Sequence, residues 1–309
     1  MADTPDYMTS AKVLQFNDSD LSFDVSDVLE DSPVLRRLSA FSVDGTQLRY
    51  MRKTANPVTG FRAANDGTQN DVATYEQVSV DLAIADASFN IDIALARGYR
   101  LGESAFIALQ MRNHLQSMMF NIESELINGS SDANGFNGLG DEINALSDAM
   151  MVDAEGSAAG TGSSCYLIRT GFNDTQVAWG ANGVITADDT VISRTIGSAT
   201  GTFPSYYTAV TGYCGLIYGS SYSAARICNL TEDSGKGLTD ELISKAISLF
   251  PAGRGPNLIC CSRRSLHQLQ ASRTATNATG SPAPYPSESF GIEIVTTDSI
   301  PNNQAIIES

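Results

Sequence analysis

Two strands joined by a long polar tip, between residues 46 and 93, restrict the fold of this chain more than any other feature. The first strand is predicted over residues 47–53, and a tip rich in Gly, Asn and Asp follows over residues 56–71. The second strand returns from Val78 with alternating apolar residues. An isolated two-stranded hairpin is only marginally stable in water. We therefore expect this hairpin to lie across a neighbouring molecule.

The returning strand carries two apolar sets of opposite parity. The first set is Val78, Val80, Leu82 and Ile84, and the second set is Ala87, Phe89, Ile91 and Ile93. Side chains alternate between the two faces of a strand, so a change of parity means an extra residue or a bend. The pattern predicts a β-bulge or a bend in a strand that is too long to stay flat.

A long helix is predicted directly after the hairpin, over Glu103–Asn128. Apolar residues recur there at steps of three and four: Ala108, Met111, Leu115, Met119, Ile122 and Leu126. The Asn128-Gly129 step provides the stop. At about 1.5 Å per residue the helix would be about 39 Å long, and we expect it to act as a spine.

An N-terminal arm is predicted over residues 1–45, because aspartates alternate there with isolated apolar residues that cannot form a core. A short helix is predicted inside it, over residues 26–30. Such an arm must lie on another surface.

The second half of the chain changes in composition. Residues 151–230 contain short β-rich segments separated by Gly and Asp, which indicates an antiparallel unit inserted between helical parts. Residues 231–309 return to an α/β pattern, with one helix that begins after Thr239 and a second that begins after Ser262 or Ser265. A proline-rich loop follows over residues 274–287, and loops of that length are usually functional or mobile.

Charge and cysteine usage argue against several classes of protein. The formal net charge of −16 repels phosphate backbones, which makes a conventional nucleic-acid-binding module a poor fit. The five cysteines include no C-x-x-C motif, which indicates reduced, buried thiols rather than a disulfide framework or a zinc site. Neither a signal peptide nor a membrane-spanning stretch is visible, so a soluble, unexported protein is expected.

Catalytic motifs are not recognisable in the sequence. His114 and His267 lie without a second histidine or a carboxylate at ligand spacing. Glu123 and Glu125 fall on different faces of the predicted helix, so a shared acid–base role is not expected. No catalytic residue, no cofactor and no metal site is therefore predicted. A hydrolase that uses Ser and Asp without His is the enzymatic alternative.

The order of these parts resembles the major capsid proteins of tailed phages, which share the Hong Kong 97-type shell fold. The resemblance is carried by Ile122 to Gly129 followed by Gly138-Leu139, by the strand-to-helix unit over residues 262–269, and by the strand over residues 290–295. It covers about two thirds of the chain, residues 20–145 and 238–300.

The resemblance implies an α+β fold with a division of labour. Residues 46–93 would be the extended loop that overlaps an adjacent subunit, and residues 94–150 the peripheral domain with the spine helix. Residues 231–309 would form the axial domain. Members of the family usually have more peripheral strands after the final axial strand, so residues 151–230 are expected to supply them.

The resemblance also implies partners. The chain would join copies of itself in hexamers and pentamers of an icosahedral shell, with a scaffolding protein, a portal and decoration proteins, and would enclose double-stranded DNA without sequence-specific contact. It would have no membrane partner, and it would assemble in the host cytoplasm and reside in the virion. Residues expected at subunit contacts are Arg49, Arg52, Lys53, Asn56, Phe61, Arg62, Asp66, Asp71, Tyr75, Arg263, Arg264, Thr274, Pro282 and Pro286. The alternatives are an encapsulin-like nanocompartment shell and a virion surface or fibre protein.

Overall fold

The computed structural model describes residues 31–67, 71–129, 134–196, 202–277 and 281–308. Within these residues the chain is a mixed α+β structure whose strands belong to four sheets. The helix predicted over residues 26–30 lies outside the described residues.

The predicted hairpin forms a sheet of its own. Its two strands are β2 (Gln47–Ala55) and β3 (Thr74–Asp81), paired antiparallel from Gln47↔Asp81 to Ala55↔Thr74 with a register shift after Lys53. The chain then continues into β4 (Ala83–Asp86) and β5 (Phe89–Asp92). Each of these two strands joins a different sheet.

The parity change of the return strand occurs earlier than predicted. Leu82 is buried, but Ile84 is 65% exposed, so its assignment to the inner face is wrong. Ala83 and Ala85 face inward instead, in phase with the buried Ala87. The slip therefore lies between Leu82 and Ala83, where the chain passes from the hairpin into another sheet, and the predicted bend is confirmed at that point.

Two further sheets surround the return strand. The first sheet contains β4 together with β1 (Ser39–Ser42), β8 (Thr175–Trp179), β9 (Thr186–Ala187) and β12 (Val210–Tyr218). Its strand order is β1-β8-β12-β4, and β9 also pairs with β12. The second sheet has the order β10-β11-β5, with β10 (Val191–Ile196) and β11 (Thr202–Thr208).

The largest sheet has six strands in the order β15-β16-β14-β7-β13-β6. Its strands are β6 (Met151–Asp153), β7 (Ser163–Ile168), β13 (Ala224–Leu230), β14 (Leu258–Cys261), β15 (Glu288–Ser289) and β16 (Ile292–Thr296). Strands β7, β13 and β14 are buried along their whole length, because they lie in the middle of the sheet with elements packed on both faces.

Five α-helices connect these sheets in the described chain: α1 (Ile93–Arg97), α2 (Glu103–Asn128), α3 (Leu139–Glu142), α4 (Asp240–Ser248) and α5 (Arg263–Ala275). A 3₁₀ turn at Ala181–Gly183 is the remaining helical element. The caps predicted for α4 and α5 are present, since the Thr239 hydroxyl accepts a hydrogen bond from Leu242 N and the Ser262 hydroxyl accepts one from Ser265 N.

Helix α2 is the predicted spine, with the predicted bounds. Its C-terminal half is buried in the main core through Ile122, Leu126 and Ile127. Its N-terminal half contributes Phe106 to a second cluster, which includes Phe89 of β5. The predicted inward face is wrong at Ala108, which is exposed.

The part of the predicted arm that the structure describes is not an arm. Val34, Leu38 and Val43 are buried, and β1 pairs in parallel with β8. Residues 34–43 therefore belong to the body of their own subunit, because their few apolar side chains complete cores that the rest of the chain builds.

Residues 151–230 do not form one inserted unit. Strands β8 and β12 lie with β1 and β4, and β11 pairs with β5, as expected if they complete the domain of the spine. Strands β6, β7 and β13 instead share the six-stranded sheet with β14 and β16. These three strands therefore pair with strands of residues 231–309 and not with the sheets next to the spine.

The cysteines agree with the prediction of reduced thiols. Cys165, Cys214, Cys228, Cys260 and Cys261 are all free and buried. Burial raises the pKa of Cys214 to about 12 and the pKa of Cys228 to about 11.

Candidate assembly surface

The hairpin formed by β2 and β3 is anchored at its base and free at its far end. At the base, Leu48, Tyr50 and Val80 pack against a buried cluster of the body. The Tyr50 hydroxyl also donates a hydrogen bond of 2.9 Å to Tyr218 O. Beyond residue 53 nearly all described residues as far as 77 are exposed. The far part of the hairpin therefore does not fold back onto its own subunit.

The far part of the hairpin carries several large apolar side chains that are exposed to solvent. Phe61 is fully exposed, Val72 is 82% exposed, and Val58 and Tyr75 are more than half exposed, as is Met51 just before this part. Scattered apolar residues are normal on a surface, but a group concentrated on one protruding element is typical of a protein-interaction site. The far part of the hairpin is thus suited to being covered.

The first half of the hairpin is basic, and its second half is acidic. Residues 47–63 contain the four cations Arg49, Arg52, Lys53 and Arg62 and no Asp or Glu, whereas the whole chain has a net charge of −16. Arg52 pairs with Glu76 across the hairpin at 3.0 Å. Arg49 and Arg62 donate hydrogen bonds to neutral oxygens, and Lys53 is exposed opposite Tyr75. Residues 64–81 carry Asp66, Asp71, Glu76 and Asp81 and no Lys or Arg, so the charges of the two halves of the hairpin offset each other.

Two aspartates shape the tip. Asp71 accepts hydrogen bonds from Val58 N at 2.7 Å and from Val72 N at 2.9 Å, and these bonds lower its pKa. Asp66 accepts a hydrogen bond from Gly67 N. Asn56 is exposed beside them. These polar side chains fix the turn, while the apolar side chains around them stay free for contact.

The second predicted group of contact residues lies around α5, away from the hairpin sheet. Arg263 is exposed and pairs with Asp298 at 2.8 Å. Thr274 lies within α5, and its hydroxyl accepts a hydrogen bond from Ala283 N, which holds the exposed Pro282 segment near the helix end. Pro286 is buried. Its prediction as a subunit contact is wrong, because the loop turns it inward ahead of β15.

Arg264 is also used inside its own chain. Its guanidinium donates to the carbonyl oxygens of Thr161, Leu230 and Asn302, and it lies 3.4 Å from Glu232. With the side chain only 17% exposed, Arg264 joins separate segments of the subunit and has little surface left for a neighbour.

Glu123 is the residue of most structural consequence that the sequence did not reveal. It lies in α2, is completely buried and accepts four hydrogen bonds. The donors are Val34 N and Leu35 N, both at 2.9 Å, the Thr297 hydroxyl at 2.5 Å and the Ser299 hydroxyl at 3.0 Å. Burial raises the pKa of Glu123, and the four donors partly offset the increase.

The described residues hold no group of three side chains able to bind a metal ion. His114 stacks on Phe89 with ring centroids 5.0 Å apart, and burial lowers its pKa. His267 is exposed. No helix in the described ranges has both the length and the apolar character to span a membrane.

Comparison with solved structures identifies the fold. The structure of bacteriophage Epsilon15 is similar with a TM-score of 0.72 and 19% identity, over 99% of this chain and 99% of that chain. The capsid of bacteriophage JBD30 has a TM-score of 0.47 and 10% identity, over 91% and 96% of the two chains. The SrpI encapsulin complex from Synechococcus elongatus PCC 7942 has a TM-score of 0.49 and 11% identity, over 72% and 96%.

Comparison of sequences identifies the family. No curated protein matches the chain. The profile of the family described as Major capsid protein GP7 matches residues 22–305, which is most of the chain and includes the hairpin, the spine and the six-stranded sheet. Together with the α+β shell fold shared with bacteriophage Epsilon15, this match shows that the chain belongs to the Major capsid protein GP7 family and is a shell subunit of a tailed phage.

Proposed function

We propose that copies of this chain join as pentamers and hexamers of an icosahedral shell around the phage genome, and that the hairpin of β2 and β3 holds them together by lying over the adjacent copy. The observation that carries this proposal is the far end of the hairpin. It is exposed, and it bears the solvent-exposed side chains of Phe61 and Val72. Many such overlaps, each of modest area, give a shell that is strong as a whole while each contact forms reversibly.

We propose a domain assignment that is supported by the grouping of the strands into sheets. The hairpin is the extended loop, and α2 with the sheets of β4 and β5 forms the peripheral domain. The six-stranded sheet with α4 and α5 forms the axial domain, so β6, β7 and β13 are assigned there because they pair within it. The exposed Pro282 segment then lies at a rim of the axial domain, near the centre of a pentamer or hexamer.

The wider partners are proposals of the same kind. A scaffolding protein and a portal would guide assembly in the host cytoplasm, and decoration proteins would bind from outside. The acidic composition suits a wall that lets packaged DNA slide past without binding. A role without catalysis is proposed, supported by membership in a structural family. A nanocompartment shell would differ in lacking a DNA-filled particle.

The hairpin is tested by removing its tip. Replacing residues 56–71 with a short glycine linker should leave a subunit with unchanged circular dichroism and a normal unfolding transition, because nearly all described residues of the tip are exposed. The variant should fail to form closed particles in sedimentation and electron microscopy. Normal particles from this variant would contradict the proposal.

A single substitution gives a sharper test with a matched control. Phe61→Ala should weaken assembly and leave the unassembled subunit as stable as wild type, since Phe61 is fully exposed. Phe172→Ala removes an aromatic ring that is 77% exposed on the body. An equal assembly defect in both variants would show a general response to lost surface aromatics and would remove the special role of the hairpin.

A further inference from the structure

A cavity of about 520 Å³ lies where the spine helix, the six-stranded sheet and the segment after β16 meet. Its walls include Ser124 and Asn128 of α2, Tyr166 of β7, Arg226 of β13, and Asn144 and Gln304 from connecting segments. None of the described residues that line the cavity is Asp or Glu. In a chain with net charge −16, a polar cavity without a carboxylate is unexpected.

Arg226 is a buried cation at this cavity. The residue is 8% exposed, and its hydrogen bonds go to neutral acceptors only. Nε donates to Ser164 Oγ at 3.0 Å, and Nη1 donates to Ile143 O at 2.9 Å and to Gly140 O at 3.3 Å. Nη2 makes none of the hydrogen bonds found among the described residues. Arg226 also forms none of the ion pairs of the described chain.

Tyr166 adds a second unused polar group. It is the cross-strand partner of Arg226 in the pairing of β7 with β13, and the Arg226 guanidinium lies 5.5 Å from the centre of its ring. The Tyr166 hydroxyl lies near Ser164, yet it has no hydrogen bond of acceptable geometry among the described residues. Leaving a buried hydroxyl without a partner is costly, and a bound group can remove that cost.

Arg264 shows how the same chain compensates an arginine elsewhere. That side chain is also largely buried and also donates to backbone carbonyls, but it lies within ion-pair distance of Glu232. At Arg226 no carboxylate of the described residues lies within ion-pair distance. Guanidinium groups bind phosphate and carboxylate oxygens through paired charge-assisted hydrogen bonds.

We propose that this cavity binds an oxyanion, a phosphate or carboxylate group, through Arg226 Nη2 and the Tyr166 hydroxyl. The side chains of Asn128, Asn144 and Gln304 line the remaining wall, and the amides of Asn144 and Gln304 would supply further donors, because the Asn128 amide already donates to Ser124 Oγ and Ser299 O. The bound anion would neutralise the buried charge of Arg226. It would also join α2, β13 and the segment over residues 301–307, which are far apart in the sequence. This inference is independent of the role of the hairpin.

Calorimetric titration of the full-length chain with inorganic phosphate, with ionic strength held constant by chloride, tests the site. Wild type should bind phosphate and unfold at a higher temperature in its presence. Arg226→Lys should weaken binding by about tenfold or more, as expected for a charge-assisted bond, and Tyr166→Phe by about two- to tenfold. Arg264→Lys is the matched control and should leave phosphate affinity unchanged.

The outcomes are distinct. If acetate binds as phosphate does, the site takes carboxylates as well, and if only phosphate binds, it is a phosphate site. Tyr166→Phe removes one oxygen atom and keeps the fold testable even where Arg226→Lys does not fold. No binding of either anion by wild type would overturn the proposal. Equal weakening by Arg264→Lys would also overturn it, because the effect would then be general electrostatics.

Discussion

Replacing Glu123 tests whether one buried carboxylate holds three distant segments of the subunit together. Its Oε2 accepts from Val34 N and Leu35 N, and its Oε1 accepts from the hydroxyls of Thr297 and Ser299. The segment before β1, the spine helix and the segment after β16 therefore meet on a single side chain.

Glu123→Ala should destabilise the subunit strongly. The change leaves two backbone N–H groups and two hydroxyls without their acceptor in a buried place, and each unsatisfied buried donor costs about 1–3 kcal/mol. The hydroxyls can turn toward other acceptors and water can enter the vacated volume, so we expect a total loss of about 3–5 kcal/mol. Against a typical domain stability of about 5–15 kcal/mol, this is a large fraction.

Glu123→Gln should be much milder, at about 1 kcal/mol or less. The glutamine oxygen can accept from both backbone N–H groups, while its NH₂ donates to the two hydroxyl oxygens, because a hydroxyl can accept as well as donate. The substitution keeps the geometry and removes the buried charge.

The two residues should also differ in pH dependence. Burial raises the folded pKa of Glu123 above its ordinary value, so the folded state binds this proton more tightly than the unfolded state does. Stability from this group is therefore greatest at low pH and falls as pH rises from the ordinary carboxyl pKa to the raised one. Glu123→Gln should lack this slope, and the difference between the two chains isolates it from other carboxylates.

Urea unfolding of the unassembled chain from pH 4 to pH 8 measures the loss of stability and its pH dependence. Hydrogen exchange at the backbone amides of Val34 and Leu35 reports directly on the loss of their hydrogen bonds to Glu123. A cost below about 1 kcal/mol for Glu123→Ala would refute the reasoning. A cost for Glu123→Gln equal to that of Glu123→Ala would show that the charge, not the set of acceptors, is what the site needs.

Two further predictions concern close packing. Gly138→Ala should destabilise the subunit by about 1–3 kcal/mol or more, because an added Cβ would lie 2.2 Å from Glu125 O and 2.5 Å from Gly129 N. Gly255→Ala, where a Cβ meets nothing within 4 Å, is the control, and an equal effect on the urea midpoint would contradict the packing argument. At pH 8 the folded chain should resist iodoacetamide at all five cysteines and react at all of them in urea, since the thiols are buried and the pKa of Cys214 is raised to about 12. Stoichiometric labelling of the folded chain, measured by mass spectrometry, would show that these strands open readily.

The elements that the sequence predicted well are those whose signal is local. The bounds of the spine follow from a helical period that ends at Asn128-Gly129, and the hairpin follows from two strands around a polar tip. The exposure of Phe61 could also be predicted from the sequence, because an isolated aromatic side chain in a polar tip has no apolar neighbours with which to form a core.

The features that sequence reasoning missed depend on partners far along the chain. Glu123 looks like a surface residue of an amphipathic helix, but its hydrogen-bond partners are 88 to 176 positions away. Arg264 was expected at the surface for the same reason, and its acceptors come from segments 34 to 103 positions away. Ile84 was predicted on the wrong face because the alternating pattern was read as one continuous strand, whereas the chain passes into another sheet after Leu82.

The path of residues 74–92 gives the shell a mechanical property. This single stretch contributes β3 to the hairpin, β4 to the sheet of β12 and β5 to the sheet of β11, and then leads through α1 into the spine. When outward pressure separates two subunits, tension on an overlapping hairpin would run along these strands. Such a load shears whole rows of main-chain hydrogen bonds together instead of opening them one at a time, so the rupture strength of the seam would depend little on which side chains line it.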